Sequence, residues 1–527
     1  MQLSFQRPAS SSIALLAVLA TLTGCGKPDT PAPPAQTKPA ATPAASAGIA
    51  WREGDVDGAF AEAKASGKPL MLYWGAVWCP PCNQLQATLF KDPAFIELTR
   101  KFVAVHLNGD LADAQKWGDQ FNVKAYPTII VLRPDRSLIT RLAGYSDNAR
   151  LADALQVAAT QTMTLEQLLD RALKTPKELR ADDWTLLAGY EWWGMAREPS
   201  KTRSASDVLA HLAASAPQPA LQRRFALLAL SIATTPPVAS PAHLALLKAV
   251  LADPSEVRAN RTELSRFAPR LVMASTSDPG ERAALSLALN QALDKVYADA
   301  TLPIVDRVIT ASTQIELARL AQGQTPDSKP QTPQPPLPAA VLDTVRQRVQ
   351  WAVQTAKTDE ERQSVITGAA GLLDDTGDTA GAEQLLLGEL TRSKTPYHYM
   401  QFLADLAEER NDPKTALTWL KKSYEGSQGP VMRVESALRY ANGVIRLSPQ
   451  DTVAIESATA QVIGELAGQP DRYGRRNLQN LKALGTSLKT WSTQHHREGS
   501  AVLARLQQKM QASCDSKNTS GCSSWLS

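Results

Sequence analysis

The sequence predicts an α/β domain near the N-terminus followed by a larger all-α region. Three observations lead there. Between residues 51 and 161, short continuous apolar runs alternate with helix-period patterns. From Leu165 to about Ala512, no strand pattern is convincing, and amphipathic helices follow one another across short polar turns. Cys79 and Cys82 close the stretch WGAVWCPPC, where an apolar run passes into a helical pattern.

The elements follow in order. Asp55 to Ser66 places Val56, Ala59, Phe60 and Ala63 on one helix face, and Gly67 with Lys68-Pro69 stops it. Leu70 to Trp74 (LMLYW) is continuously apolar, as in a strand covered on both faces. After the cysteines, Asn83 to Phe90 turns helical, with Leu85 and Leu89 at i,i+4. Phe102 to Leu107 is a second strand and Ala114 to Phe121 a short helix. Tyr126-Pro127 precedes a third strand, Thr128 to Leu132. Arg133 to Arg136 is a turn, Leu138 to Leu142 a return strand, and Asn148 to Thr160 a closing helix.

This order, with Trp78-Cys79-Pro80-Pro81-Cys82 at a strand–helix junction and Tyr126-Pro127-Thr128 before the third strand, resembles the thioredoxin fold. The likeness covers about a fifth of the chain. It implies a thiol:disulfide oxidoreductase in which Cys79 attacks and Cys82 resolves, with Cys79 the more exposed of the two. It also implies a cis bond at Pro127, and it sets Trp78, Tyr126 and Pro127 beside the substrate chain. The chemistry agrees. A cysteine at a helix N-terminus is favoured as thiolate by unpaired N–H groups, and the two-residue spacing lets the second thiol return on the first. Pro127 has no N–H to block the backbone edge there. Two departures bear on redox character. Tyr73 stands where the family often has a buried acid, and Pro80-Pro81 removes two N–H donors from Cys79. A reductant or weak isomerase is expected rather than a strong oxidase. A zinc site is disfavoured, because four ligands are needed and the six His form no spaced cluster. A structural staple is disfavoured because so small a loop removes little chain entropy.

The N-terminus carries an address. Arg7 precedes a ten-residue apolar run, Ile13 to Leu22, too short to span a bilayer and suited to a signal peptide. Leu22-Thr23-Gly24-Cys25 resembles the lipobox of bacterial lipoproteins. That implies lipid on Cys25 and a cell-envelope protein facing the periplasm, with Gly26 pointing to the outer rather than the inner membrane. Residues 26–48 are Pro-, Ala- and Thr-rich and read as a disordered tether. In an oxidising compartment five cysteines partition fully: Cys25 with lipid, Cys79 with Cys82, and Cys514 with Cys522 across a polar loop.

Within the helical part, Leu165, Leu168, Leu169, Ala172 and Leu173 define one face, and Leu285, Leu289, Ala292, Leu293 and Val296 another. Gln322 to Pro338 is Pro-rich and reads as a linker or loop. Gly377-Asp-Thr-Ala-Gly-Ala382 aligns with Asn411-Asp-Pro-Lys-Thr-Ala416 at an offset of 34, which also pairs Ala370 with Ala404, Leu386 with Leu420 and Pro396 with Pro430. Thirty-four is the tetratricopeptide (TPR) period, and stacked repeats of that kind present a concave surface to a protein partner. The expected plan is signal peptide 1–24, tether 25–50, thioredoxin-like domain 51–161, helical domain 162–321, Pro-rich segment 322–338, TPR-like helical domain 339–513, and tail 514–527 with a local disulfide.

A net charge of +4 on 527 residues, without a Lys/Arg stripe, gives no case for nucleic acid. No phosphate loop, Ser/His/Asp elbow or supported carboxylate pair is present, so no cofactor is expected. The expected activity is reduction or isomerisation of protein disulfides, fed by a membrane electron donor and aided by a partner-binding helical arm. The alternative is an assembly lipoprotein that uses both parts as protein-binding modules.

Overall fold

The structure, a computed structural model, describes residues 48–143, 147–193, 203–326, 335–467, 475–514, 522 and 524–526. The apolar run at 13–22, Cys25 and nearly all of the tether lie outside the described residues.

The first domain is built from β1 (Arg52–Glu53), α1 (Val56–Ser66), β2 (Leu70–Gly75), α2 (Pro80–Ala87), α3 (Pro93–Thr99), β3 (Val103–Asn108), α4 (Ala112–Gln120), β4 (Thr128–Leu132), β5 (Leu138–Ala143) and α5 (Asn148–Ala158). The sheet order is β1-β3-β2-β4-β5. β1, β3 and β2 run parallel, while β4 opposes β2 and β5 opposes β4. Alternation along the strands fills both faces. Leu70, Leu72 and Trp74 join Val105, Leu107, Ile130 and Leu132 on one side. Met71 and Tyr73 join Ala104, Ile129 and Val131 on the other.

Local signals account for most boundaries. Asp55 caps α1 by accepting from the Gly58 N–H at 2.9 Å, and Gly67 ends it in a left-handed conformation. α2 starts at Pro80, three residues before the expected Asn83, because prolines fit the first turn, where N–H groups have no helical partner. It stops at Ala87 rather than Phe90, giving way to a short 3-10 turn at Leu89–Lys91. The sequence reading missed α3, which Asp92 caps by accepting from the Ala94 N–H with Pro93 at its first position. It also missed β1, which is two residues long and held by pairing with β3.

Beyond α5, the regular elements among the described residues are helices. The core under one face of the sheet runs on into them without a break: Leu151 and Leu155 share one cluster with Leu165, Leu168, Trp184, Trp192, Leu209 and Phe225. Arg141 on β5 ties the edge of the sheet to this layer. Its buried guanidinium donates to Glu191 at 2.7 Å and to the Phe121 and Asn122 carbonyls at 2.9 and 3.0 Å. The residues flanking the Pro-rich segment also share a core, with Val308, Ala311 and Ile315 packing beside Val345 and Val349, and Leu337 from the segment itself joins them.

The offset of 34 has a structural counterpart. Gly377 and Asn411 both take positive φ, 84° and 57°. Asp378 and Asp412 both cap the helix that follows, accepting from Gly381 and Thr415 N–H groups at 3.0 Å. Pro396 and Pro430 both open helices, Pro396–Glu409 and Pro430–Leu447. Among the described residues, no helix is long and apolar enough to cross a membrane.

Candidate active site

β2 ends at Gly75, and the chain turns through Trp78 so that Cys79 becomes the N-cap of α2. Cys79 and Cys82 are joined as a disulfide, with Cα atoms 5.2 Å apart. Pro80 and Pro81 have no N–H, so the first backbone donor of the helix is Cys82, whose N–H reaches Cys79 Sγ at 3.3 Å. Asn83 braces the turn. Its buried Nδ2 donates to the carbonyls of Val77 at 2.6 Å and Cys79 at 3.0 Å. The sequence reading did not single out Asn83, although an amide in the first turn beside two prolines is a legible capping signal.

Tyr126-Pro127 is a cis peptide and leads into β4 next to the disulfide. Tyr126 is fixed by Gln115, whose Nε2 donates to its hydroxyl at 2.8 Å and to the Gly109 carbonyl at 2.6 Å. Gly109 must be small, since a Cβ there would stand 2.3 Å from the Tyr126 ring. Trp78 lies beside Tyr126, with ring centroids 6.1 Å apart, and donates its indole N–H to Asp110 at 2.8 Å. Trp78, Cys79, Cys82, Tyr126 and Pro127 thus converge on one end of the sheet.

Tyr73 is buried on β2, stacked on His106 with centroids 5.3 Å apart and edge-on to Phe90 at 5.0 Å. Burial pushes its phenol well above the ordinary tyrosine value, and the nearby Gln86 offsets little of this. Tyr73 therefore carries no charge at neutral pH and cannot take the proton that an acid at this place would take.

Both sulfurs are buried, Cys79 at 2% accessible and Cys82 at 0%. Helical segments far along the chain lie over this end of the domain. The helix Asp359–Asp375 packs along α2. Gln84 on α2 donates to Asp306 at 3.0 Å, and Arg261 holds both Asp306 and Asp147. Lys91 pairs with Glu360 at 3.7 Å. His398, on the helix Pro396–Glu409, stacks on Trp78 with centroids 4.7 Å apart and an interplanar angle of 30°. The sequence offered no signal for these contacts, because each joins residues far apart in the chain.

Cys514 and Cys522 are bonded to each other at the C-terminus, well separated in sequence from the first pair. Among the described residues, no group of three or more His, Cys, Asp or Glu is placed to hold a metal ion.

With this geometry in view, residues 56–159 match the thioredoxin-like domain family. A thioredoxin H-type of Brassica oleracea is 32% identical over 100 residues, 18% of this chain and 76% of that protein. The chain belongs to the thioredoxin family. A thioredoxin H-type of Oryza sativa subsp. indica is 31% identical over 80 residues, 15% of this chain and 61% of that protein. The thiol:disulfide interchange protein DsbD 1 of Pseudomonas aeruginosa is 30% identical over 110 residues, which are 20% of this chain and 19% of that protein. These likenesses cover the thioredoxin-like domain. A disulfide-bonded Cys-x-x-Cys at the N-terminus of α2 beside a cis-proline equips that domain for thiol:disulfide exchange.

Proposed function

We propose that this protein is a lipid-anchored thiol:disulfide oxidoreductase of the bacterial cell envelope, facing the periplasm and reducing or isomerising disulfides of protein clients. The observation that carries the redox activity is the Cys79–Cys82 pair at the start of α2, next to cis Tyr126-Pro127. In the reducing direction, the Cys79 thiolate attacks one client sulfur. The client S–S bond breaks, and its second sulfur leaves as a thiolate that takes a proton. Cys82, losing its proton, attacks the Cys79 sulfur and releases the first client sulfur as a thiol. The client gains two electrons, and the protein is left with the Cys79–Cys82 disulfide, which a membrane dithiol donor must reduce again. The single backbone N–H at Cys79 Sγ favours a reductant, since little there stabilises a thiolate. The helical region, TPR-like over 339–513, serves as the arm that engages a client or partner. Lipid on Cys25 supplies the anchor, with the outer membrane as its site because Gly26 follows.

Insulin reduction by the full chain with dithiothreitol as donor tests the redox assignment. Turnover that disappears in Cys79→Ser supports it; reaction of neither insulin nor the small disulfide dithiodipyridine above the Cys79→Ser background overturns it. The burial of both sulfurs favours a second role, a scaffold in which the thioredoxin-like domain and the helices recognise proteins without turnover. Reaction of neither disulfide above that background would leave that role standing. Cys25→Ala should abolish lipid labelling and release the protein into the soluble periplasmic fraction, and unchanged membrane fractionation refutes the anchor.

A further inference from the structure

Trp78 sits where three features meet. It directly precedes Cys79, its indole N–H is held by Asp110, and its ring is covered by His398. Two cavities adjoin it. One, about 910 Å³, runs along Gln115, Lys124, Ala125 and Tyr126 to Gln479. The other, about 510 Å³, lies between His398, Asp405, Arg439 and Asn480. Each is the size of a site for a small molecule or a short length of extended chain, and neither approaches the size of a folded domain. Trp78 lines both. His398 lines the second, so a disulfide seated in either cavity meets Trp78, the residue before Cys79, and in the second meets His398 as well.

The pairing is built to persist. His398 is mostly buried, and burial together with the neighbouring Arg439 pushes its imidazole down to about 3. The ring is neutral through the working range of pH and can lie flat on an indole without a charge to solvate. Among the described residues its Nε2 has no hydrogen-bond partner, and its ring packs between Trp78 and Tyr397, with centroids 4.7 Å from each. Around it, the helix Asp359–Asp375 on α2, Gln84 with Asp306, and Lys91 with Glu360 hold the helical region onto the same end of the domain.

We propose that His398 is a specificity-determining residue: stacked on Trp78, it holds the helical cover over the disulfide, so that small or extended disulfides reach Cys79 and disulfides embedded in folded proteins are held back. This inference rests on the oxidoreductase assignment and adds to it the class of substrate. Reduced full chain, freed of dithiothreitol, is mixed in single turnover with dithiodipyridine as the small disulfide and with insulin as the folded one. The signal of Cys79→Ser is subtracted in each case, so that other thiols do not count. The quantity read is the ratio of the insulin rate to the dithiodipyridine rate. His398→Ala removes the ring and should raise the ratio about five-fold, as expected for losing one aromatic contact. His398→Phe keeps a ring on Trp78 and should restore the wild-type ratio, which a merely destabilised helix would not do. A ratio unchanged by His398→Ala, or raised equally by His398→Phe, overturns the proposal while leaving the oxidoreductase intact. If neither disulfide reacts above the Cys79→Ser background in any of the proteins, the oxidoreductase assignment falls and the role of His398 falls with it.

Discussion

Among the described residues, the reactive sulfur of this protein has one backbone donor in reach, the Cys82 N–H at 3.3 Å, because two prolines occupy the positions that usually supply others. The reduced Cys79 thiol should therefore titrate well above the lowest thioredoxin-fold thiols. Thiolate absorbance of the reduced protein against pH, with Cys79→Ser as the blank, should give a midpoint above about 5. Asn83 holds the Val77 and Cys79 carbonyls from inside the turn. Asn83→Ala removes both bonds, while the Cys79 carbonyl keeps the backbone N–H of residue 83 and Val77 stays half-exposed, and should cost about 0.5–1.5 kcal/mol in denaturant melts. At this scale the site was largely legible. Cysteine spacing, Tyr126-Pro127 and the anomalous Tyr73 are all local features that a sequence displays. What it could not display was accessibility, because helices nearly three hundred positions or more away pack on α2 and on Trp78, the residue beside Cys79.

Helices and turns were legible wherever a short-range rule sets them. Leu285, Leu289, Ala292, Leu293 and Val296 are all buried, as their spacing requires. Leu173 is the one residue of its face left partly exposed. β1 escaped notice because two residues carry no period, and α3 because Asp92-Pro93 reads equally well as a turn. The paired turns at 377 and 411 offer a test. Both residues have positive φ, which costs a non-glycine residue about 1–2 kcal/mol. Gly377→Ala should lower stability by about that amount, while Asn411→Gly should be neutral or slightly stabilising. Because one substitution removes glycine and the other adds it, opposite signs in thermal melts are what equivalent turns give, and a loss of stability at both positions would show that the turns are not equivalent. At the site, Gly109→Ala forces the Tyr126 ring aside. Misplacing that substrate edge should cut insulin turnover on the order of ten- to a hundred-fold.

Over the whole molecule, what was illegible is how the parts meet. Sequence patterns divide the chain at composition changes, yet one apolar cluster passes from Met71 and Ile129 through Leu165 to Phe225. Long-range electrostatics were equally hidden. Glu316 lines a 630 Å³ cavity in the helical region with Asp375, Arg266 and Arg319. Burial, with the charge of Asp375 nearby, raises its carboxyl from 4.5 to about 7. A carboxyl raised on folding binds its proton more tightly in the folded state. Its contribution to stability is present below pH 4.5 and is lost as pH rises through about 7. Wild type should therefore lose melting temperature relative to Glu316→Gln between those two pH values, and parallel curves would refute this.

The cover over the Cys79–Cys82 pair also has a history in time. A chain emerges N-terminus first, whether from a ribosome or through a membrane pore. The two cysteines and their sheet appear early, and the helix Asp359–Asp375 and His398, which pack on α2 and Trp78, appear much later. At ordinary rates of synthesis that interval is roughly tens of seconds. Throughout it the young dithiol is open to any oxidant or stray thiol, large or small. Once the later helices close, the same pair is shielded. Each molecule thus passes from an unselective infancy to a guarded maturity.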